Sequence, residues 1–315
     1  MSFQPQQNLS TFVRGIGVYD HSSPAAITYK GKLYVFYVGR GDDGIFYTSM
    51  NDWNWDPIKN INDQVKEIGV ANNTSPSAVV FKDKLYLFYN GSGNDGTFYT
   101  TFDGRKWDPI VAVNAMVPGG MGFLPGTSPS VAMNQDAIQL FWNGRGDDGI
   151  FYASFNGTHW SRAGHIDNVG IARGTSPCAV LFNKKLHVFW NGRGGDSTYY
   201  CTFENGYWTP QRSVADQNRG QGYYPRTSPM TVVLDDKRLR LFWVGSGGPE
   251  QGLWYSDLVL NPYSWTRQQN MAKEIGGQGP LKKESSASGV KYEQSAYVFW
   301  EGDGQDIWFT YELAK

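Results

Sequence analysis

One polar string recurs along the chain and limits what it can fold into. Asn143-Gly144-Arg145-Gly146-Asp147-Asp148-Gly149 stands between two aromatic-rich runs, Leu140-Phe141-Trp142 and Ile150-Phe151-Tyr152. Gly39-Arg40-Gly41-Asp42-Asp43-Gly44 is nearly identical, and Asn90-Gly91-Ser92-Gly93-Asn94-Asp95-Gly96 and Asn191-Gly192-Arg193-Gly194-Gly195-Asp196 are close copies. Val244-Gly245-Ser246-Gly247-Gly248 and Glu301-Gly302-Asp303-Gly304-Gln305-Asp306 are degenerate ones. A unit copied at this spacing cannot bury its apolar face alone, so neighbouring copies must stack on one another.

A Ser-Pro step marks the start of each copy. It appears at Ser23-Pro24, Ser75-Pro76, Ser128-Pro129, Ser176-Pro177 and Ser228-Pro229, and the last copy, Ser286-Ala287, has lost its proline. The period is about 50 residues, the length of one propeller blade. The second repeat shows the internal plan. Ser77 to Phe81 reads as a short apolar strand, Asp83-Lys84 as a turn, and Leu85 to Tyr89 as a second strand. The glycine-rich loop follows, then a third strand from Thr97 to Phe102 and a tight hairpin at Asp103-Gly104. Trp107-Asp108-Pro109 opens a fourth, weaker strand. The expected fold is all-β: one six-bladed β-propeller domain over 1–315, with four-stranded antiparallel blades starting near 22, 74, 127, 175, 227 and 285. The sixth repeat stops after its third strand, and Phe3 to Leu9 resembles the start of a fourth. Residues 1–10 are therefore expected to complete the last blade and close the ring.

Composition agrees. Aromatic residues at 16% and 38 glycines suit many short strands joined by tight turns. A net charge of −1 offers no field for nucleic acid or for an anionic membrane, and no run reaches the roughly 20 apolar residues of a spanning helix. Met1 to Gly17 shows no signal-peptide pattern. Cys178 and Cys201 fall on the first and third strands of one blade, about two 4.8 Å spacings apart, beyond disulfide reach. Free thiols and the missing signal lead to an expectation of cytoplasmic residence, or of release without a classical signal peptide.

Strand alternation puts the glycine-rich loops and the Ser-Pro connections on one face of the ring. Turn geometry explains the glycines but not Arg40, Arg145 and Arg193 beside Asp42, Asp147 and Asp196. A guanidinium gives a planar fork of donors and a carboxylate gives acceptors, the pairing that a sugar's vicinal hydroxyls take. An aromatic residue precedes each loop: Tyr37, Tyr89, Trp142, Trp190, Trp243 and Trp300. Each is expected either to pack between blades or to floor a pocket beneath a sugar. The candidate carbohydrate-binding set is these six aromatics with Arg40, Asp42, Asp43, Asn90, Asn94, Asp95, Asn143, Arg145, Asp147, Asp148, Asn191, Arg193 and Asp196.

Other chemistries find less support. The Asp-Asp-Gly run lacks the regular oxygen-ligand spacing of a calcium loop. His21, His159, His165 and His187 are scattered, with no zinc spacing and no nucleophile triad. Two alternatives stand beside sugar binding: a propeller that binds protein through its loop face and, the serious one, a propeller glycosidase. It needs one asymmetric set of acids near the axis, for which the unrepeated Glu250, Glu284 and Glu301 are available. The nearest approach to a sialidase Asp-box, Thr100 to Trp107, has its aspartate one position late and no final threonine.

With its Ser-Pro-x-Ala-Val strands, Leu-Tyr-x-Phe-Trp strands and loop-borne aromatics, the whole chain resembles the β-propeller lectins of bacteria and fungi. Both the six-bladed fucose-binding type and the Photorhabdus type with sialidase-like blades are similar. The resemblance implies multivalent recognition of glycans or glycoconjugates, with no catalytic residue, no metal and no cofactor, and it leaves oligomerisation open. The fucose type places an Arg, a Glu and a Trp in each site. No repeated Glu stands at the matching loops here, so fucose specificity is not implied.

Overall fold

The computed structural model describes residues 3–41, 44–94, 96–146, 149–195, 197–218, 220, 222–248, 252–277 and 281–313, with Asn94 as backbone only. Six antiparallel sheets form a six-bladed β-propeller. In the third blade Ser130–Asn134, Ala137–Asn143, Ile150–Phe155 and Gly164–Ile166 follow one another from the axis outward. The last blade takes its outer strand from the start of the chain. Gln7 pairs with Phe309 and Asn8 with Trp308, and the Gln4 amide donates to the Tyr311 carbonyl at 2.8 Å. Asp306 fastens this closure by accepting from Asn8 Nδ2 at 3.1 Å and Ser10 Oγ at 2.6 Å.

The core lies between the blades. Six clusters of buried side chains correspond to the six seams. Phe36 and Tyr47 of the first blade, for instance, pack against Leu87, Tyr89, Phe102 and Trp107 of the second. Each second strand is buried on both faces, so its run of apolar residues faces a neighbour on either side. Fully burying such a side chain contributes about 1.5–3 kcal/mol.

The Ser-Pro step has a clear structural role. The Ser23 amide donates to Ser75 Oγ at 2.8 Å, Ser75 to Ser128 at 2.8 Å, Ser128 to Ser176 at 2.7 Å and Ser176 to Ser228 at 2.8 Å. Ser228 donates to Ser286 at 2.7 Å, and Ser286 returns to Ser23 at 2.9 Å. The loop of hydrogen bonds closes around the axis. It explains why the sixth repeat keeps its serine although the proline is gone.

The outer strand differs from the sequence expectation. In the second blade Trp107 makes a single bridge to Phe102, and regular pairing resumes only at Val111–Ala112. Pro109 has no N–H to give the ladder, so the strand breaks there. Asp108 fills the gap: its amide donates to the Thr101 carbonyl at 2.7 Å, and its carboxylate takes Thr101 Oγ1 at 2.5 Å and Lys84 Nζ at 2.6 Å. Cys178 and Cys201 are free thiols. Burial pushes the Cys201 thiol up to about 12, which leaves it unreactive.

Candidate functional site

The six glycine-rich loops do share a face with the segments leading into the Ser-Pro steps. Each loop is tied to the segment entering its own blade by a bridge: Val18 to Gly39, Val70 to Gly91, Phe123 to Gly144, Ile171 to Gly192, Tyr223 to Gly245 and Leu281 to Gly302. The loop neck closes on itself as well. Gly39 donates to the Gly44 carbonyl at 2.9 Å, Gly144 to Gly149 at 3.0 Å and Gly192 to Ser197 at 2.9 Å.

This neck fixes the arginines. The amides of Arg40, Arg145 and Arg193 donate to the carbonyls of Gly17, Gly122 and Gly170 at 2.9, 3.1 and 3.1 Å. Each side chain then starts out along that glycine: a Cβ on Gly17 or Gly122 would lie 3.4 Å from the arginine Cβ, and one on Gly170 3.7 Å. All three arginines are exposed. Their backbones are fixed on a rigid ring while their guanidinium groups reach solvent, at equivalent points of blades one, three and four. Asp42, Asp43, Asp95, Asp147, Asp148 and Asp196, and the Asn94 side chain, lie outside the described residues, as does Glu250.

Two groups of expected site residues belong elsewhere. Asn90, Asn143 and Asn191 end their second strands and are at most 1% exposed. Their amides cross the seam to the next blade, donating to the carbonyls of Thr127, Thr175 and Thr227 at 2.8, 3.3 and 2.7 Å. They are latches between blades and have no surface to offer a sugar. Likewise Tyr37, Tyr89, Trp142, Trp190, Trp243 and Trp300 are at most 2% exposed and sit in the seam clusters. Of the two outcomes expected for them, packing between blades is the one seen.

A second aromatic column takes the exposed position. Phe46, Phe98, Phe151, Tyr199, Trp254 and Trp308 are half-buried, each the second residue of its third strand. Each lies across from the buried aromatic of its blade. Tyr37 and Phe46 stack with centroids 5.8 Å apart, and Trp142 and Phe151 at 6.1 Å. The ring also covers the neck glycine. A Cβ on Gly39 would fall 2.2 Å from Phe46, on Gly192 2.4 Å from Tyr199 and on Gly245 2.5 Å from Trp254. These necks are glycine because a ring occupies the place of the side chain. The recurring aromatic was visible in the sequence, but the longer apolar runs of the second strands outweighed it.

Glu301 occupies the latch position in the sixth blade, where blades two, three and four have asparagine and blades one and five have Val38 and Val244. It is fully buried and neither carboxyl oxygen is in hydrogen-bond geometry with a partner among the described residues. Burial pushes its carboxyl up to about 8, and Lys282, Ser285 and the His21 amide pull it down by less. His187 is also buried, which holds its imidazole down at about 4. Among the described residues no cluster of three metal-ligating side chains occurs.

No protein-family model matches the chain, and no curated protein matches it. Solved structures do share its fold. A triple arginine-to-alanine mutant of AofleA from Arthrobotrys oligospora superimposes with a TM-score of 0.74 at 14% identity, over 95% of this chain and 85% of that one. The SapL1 lectin in complex with alpha methyl fucoside gives 0.65 at 13% identity, over 90% and 89%. A sialidase from Trypanosoma rangeli gives 0.63 at 12% identity, over 97% of this chain and 59% of the sialidase. The fold is thus one that both a sugar-binding lectin and sialidases use.

Proposed function

We propose that the protein is a carbohydrate-binding propeller, a lectin with repeated shallow sites at the loop necks. One observation carries this reading: an exposed arginine recurs at the same fixed point of blades one, three and four, directly following a neck glycine, with a half-buried ring on the third strand of the same blade. The guanidinium of Arg40, Arg145 or Arg193 donates to vicinal hydroxyls, and Phe46, Phe151 or Tyr199 meets the apolar face of the sugar. The loop aspartates complete the site as acceptors. Exposed sites of this kind bind weakly one at a time, and several on one rigid ring raise avidity by roughly 10²–10⁴.

Hydrolysis is less well supported. A glycosidase places two carboxyl groups about 5–9.5 Å apart around the scissile bond. Among the described residues lining the axial mouth, Glu284 is the one carboxylate, and it is paired with Arg226 at 3.2 Å. Glu301 is shut inside a seam. A glycan array probed with the wild type and an Arg40→Ala, Arg145→Ala, Arg193→Ala variant tests the proposal. Retained melting temperature with loss of array binding supports it; unchanged binding, or released sugar product, refutes it.

A further inference from the structure

The residue two places before each ring serine has a left-handed backbone in every blade. The φ values are 63° at His21, 59° at Asn73, 75° at Gly126, 72° at Gly174, 61° at Arg226 and 64° at Glu284. Glycine adopts this conformation freely, whereas bulkier residues are held there only by their surroundings. Two blades carry the glycine the backbone favours. The other four carry four different polar groups, so a structurally equivalent column has become chemically asymmetric.

These residues surround the axis on the loop face. With Arg173 they line a cavity of about 400 Å3. A further cavity of about 240 Å3 is lined by the Ser-Pro steps. The serine hydroxyls there already accept a neighbour's amide, which leaves their O–H groups as donors in the lining. Arg226 extends over Gly174, where a Cβ would lie 3.4 Å from its Cγ, and its Nη1 is 3.2 Å from Glu284 Oε2. Arg173 is exposed and has no ion-pair partner among the described residues. His21 Nδ1 lies 3.0 Å from the Lys283 carbonyl oxygen. That nitrogen therefore carries the proton, and Nε2 of the neutral ring is an acceptor. The mouth presents two guanidinium groups against one carboxylate, with amide, imidazole and hydroxyl groups around them.

We propose that this axial mouth binds a sugar bearing an oxyanion, at one site per chain, separate from the repeated loop sites. A carboxylate or sulfate is taken by Arg173 and Arg226 with the serine donors below. The ligand's hydroxyls are taken by Glu284, Asn73 and Nε2 of His21. Cation excess selects the anionic group, and the mixture of donors and acceptors selects a hydroxylated carrier over a bare ion.

Calorimetric titrations with glucuronic acid and with N-acetylglucosamine 6-sulfate test this, with glucose and sodium sulfate as controls. The expected result is one site per chain for at least one charged sugar, at least tenfold tighter than either control. Binding of the first alone identifies a carboxylate, and of the second alone a sulfate ester. R173E, at an exposed and unpaired position, should weaken that binding at least tenfold without changing the melting temperature, and R226Q should weaken it too. A variant lacking Arg145 and Arg193 should retain it, so failure of the loop sites and failure of this one are read separately. The proposal falls if neither charged sugar binds, if glucose or sulfate binds as tightly, or if both R173E and R226Q leave affinity unchanged.

Discussion

Replacing Glu301 by glutamine should remove a pH dependence built into the ring closure. Blades two, three and four use an asparagine amide to donate across the seam to the next blade. The sixth blade presents a carboxyl group at that position, fully buried, and the corresponding carbonyl of the next blade is that of Ser22. An ionised carboxylate there loses its hydration, which outweighs the pull of Lys282, Ser285 and the His21 amide, so the folded protein holds the proton up to about pH 8. The unfolded chain releases it near 4.5. Between those values the folded state carries one more proton than the unfolded state, so stability falls as pH rises, by about 1.4 kcal/mol per unit and about 5 kcal/mol in all. His187 acts in the opposite direction: held near 4 when folded and near 6.5 when unfolded, it costs stability as pH falls through that window. Above pH 6.5 only the Glu301 contribution of the two remains. Urea unfolding of wild type and E301Q at intervals from pH 5 to 8.5 isolates it. The wild type should lose about 2 kcal/mol between pH 6.5 and 8 that E301Q keeps. Parallel stability curves for the two proteins would refute a buried, protonated Glu301.

Three further outcomes follow from the packing. R240A should cost about 3–5 kcal/mol in chemical denaturation, because Arg240 holds Asp257 at 2.6 and 2.9 Å and Glu312 at 2.5 Å in the core and its removal strands both carboxylates. S128A leaves the half-buried Ser75 amide without its acceptor and opens the axial ring, for a loss of about 0.5–1.5 kcal/mol by the same assay. G192A should displace the Tyr199 ring, since its Cβ would lie 2.4 Å from that ring; lower affinity at the fourth blade and a drop in melting temperature are expected, and a wild-type melting curve would contradict the close approach.

Much of the architecture was legible because repetition multiplies a weak signal. The Ser-Pro step, insignificant once, marks five blades, and its serine, kept in all six, proves to belong to a hydrogen-bonded ring. The pairing of Gln7 and Asn8 with the last blade could be read from a resemblance between two short strings. Site residues were harder. Asn143 follows an aromatic and precedes a glycine, so it looks like a loop residue. Only the position of the next blade shows that the strand continues through it and that its amide crosses the seam. Trp142 and Phe151 are both aromatic and adjacent across the sheet, and strand period alone does not say which one the neighbouring blade covers. His21, Asn73 and Arg226 escaped for a different reason, and Glu284 stood out only as an unrepeated acid, not as one of a column with them. The four share a backbone conformation and a position, but no side-chain chemistry, so a search for repeated residues passes over them.

The arginines held at equivalent loop necks are proposed to bind sugar. Calorimetric titration with whichever neutral glycan binds most strongly on an array measures that binding most directly, comparing wild type with R40A, R145A and R193A singly and together. More than one equivalent site per chain, a stoichiometry that falls with each arginine removed, and no turnover of the glycan are expected. A single site per chain that survives the triple substitution, or release of a hydrolysis product, would contradict the proposed role.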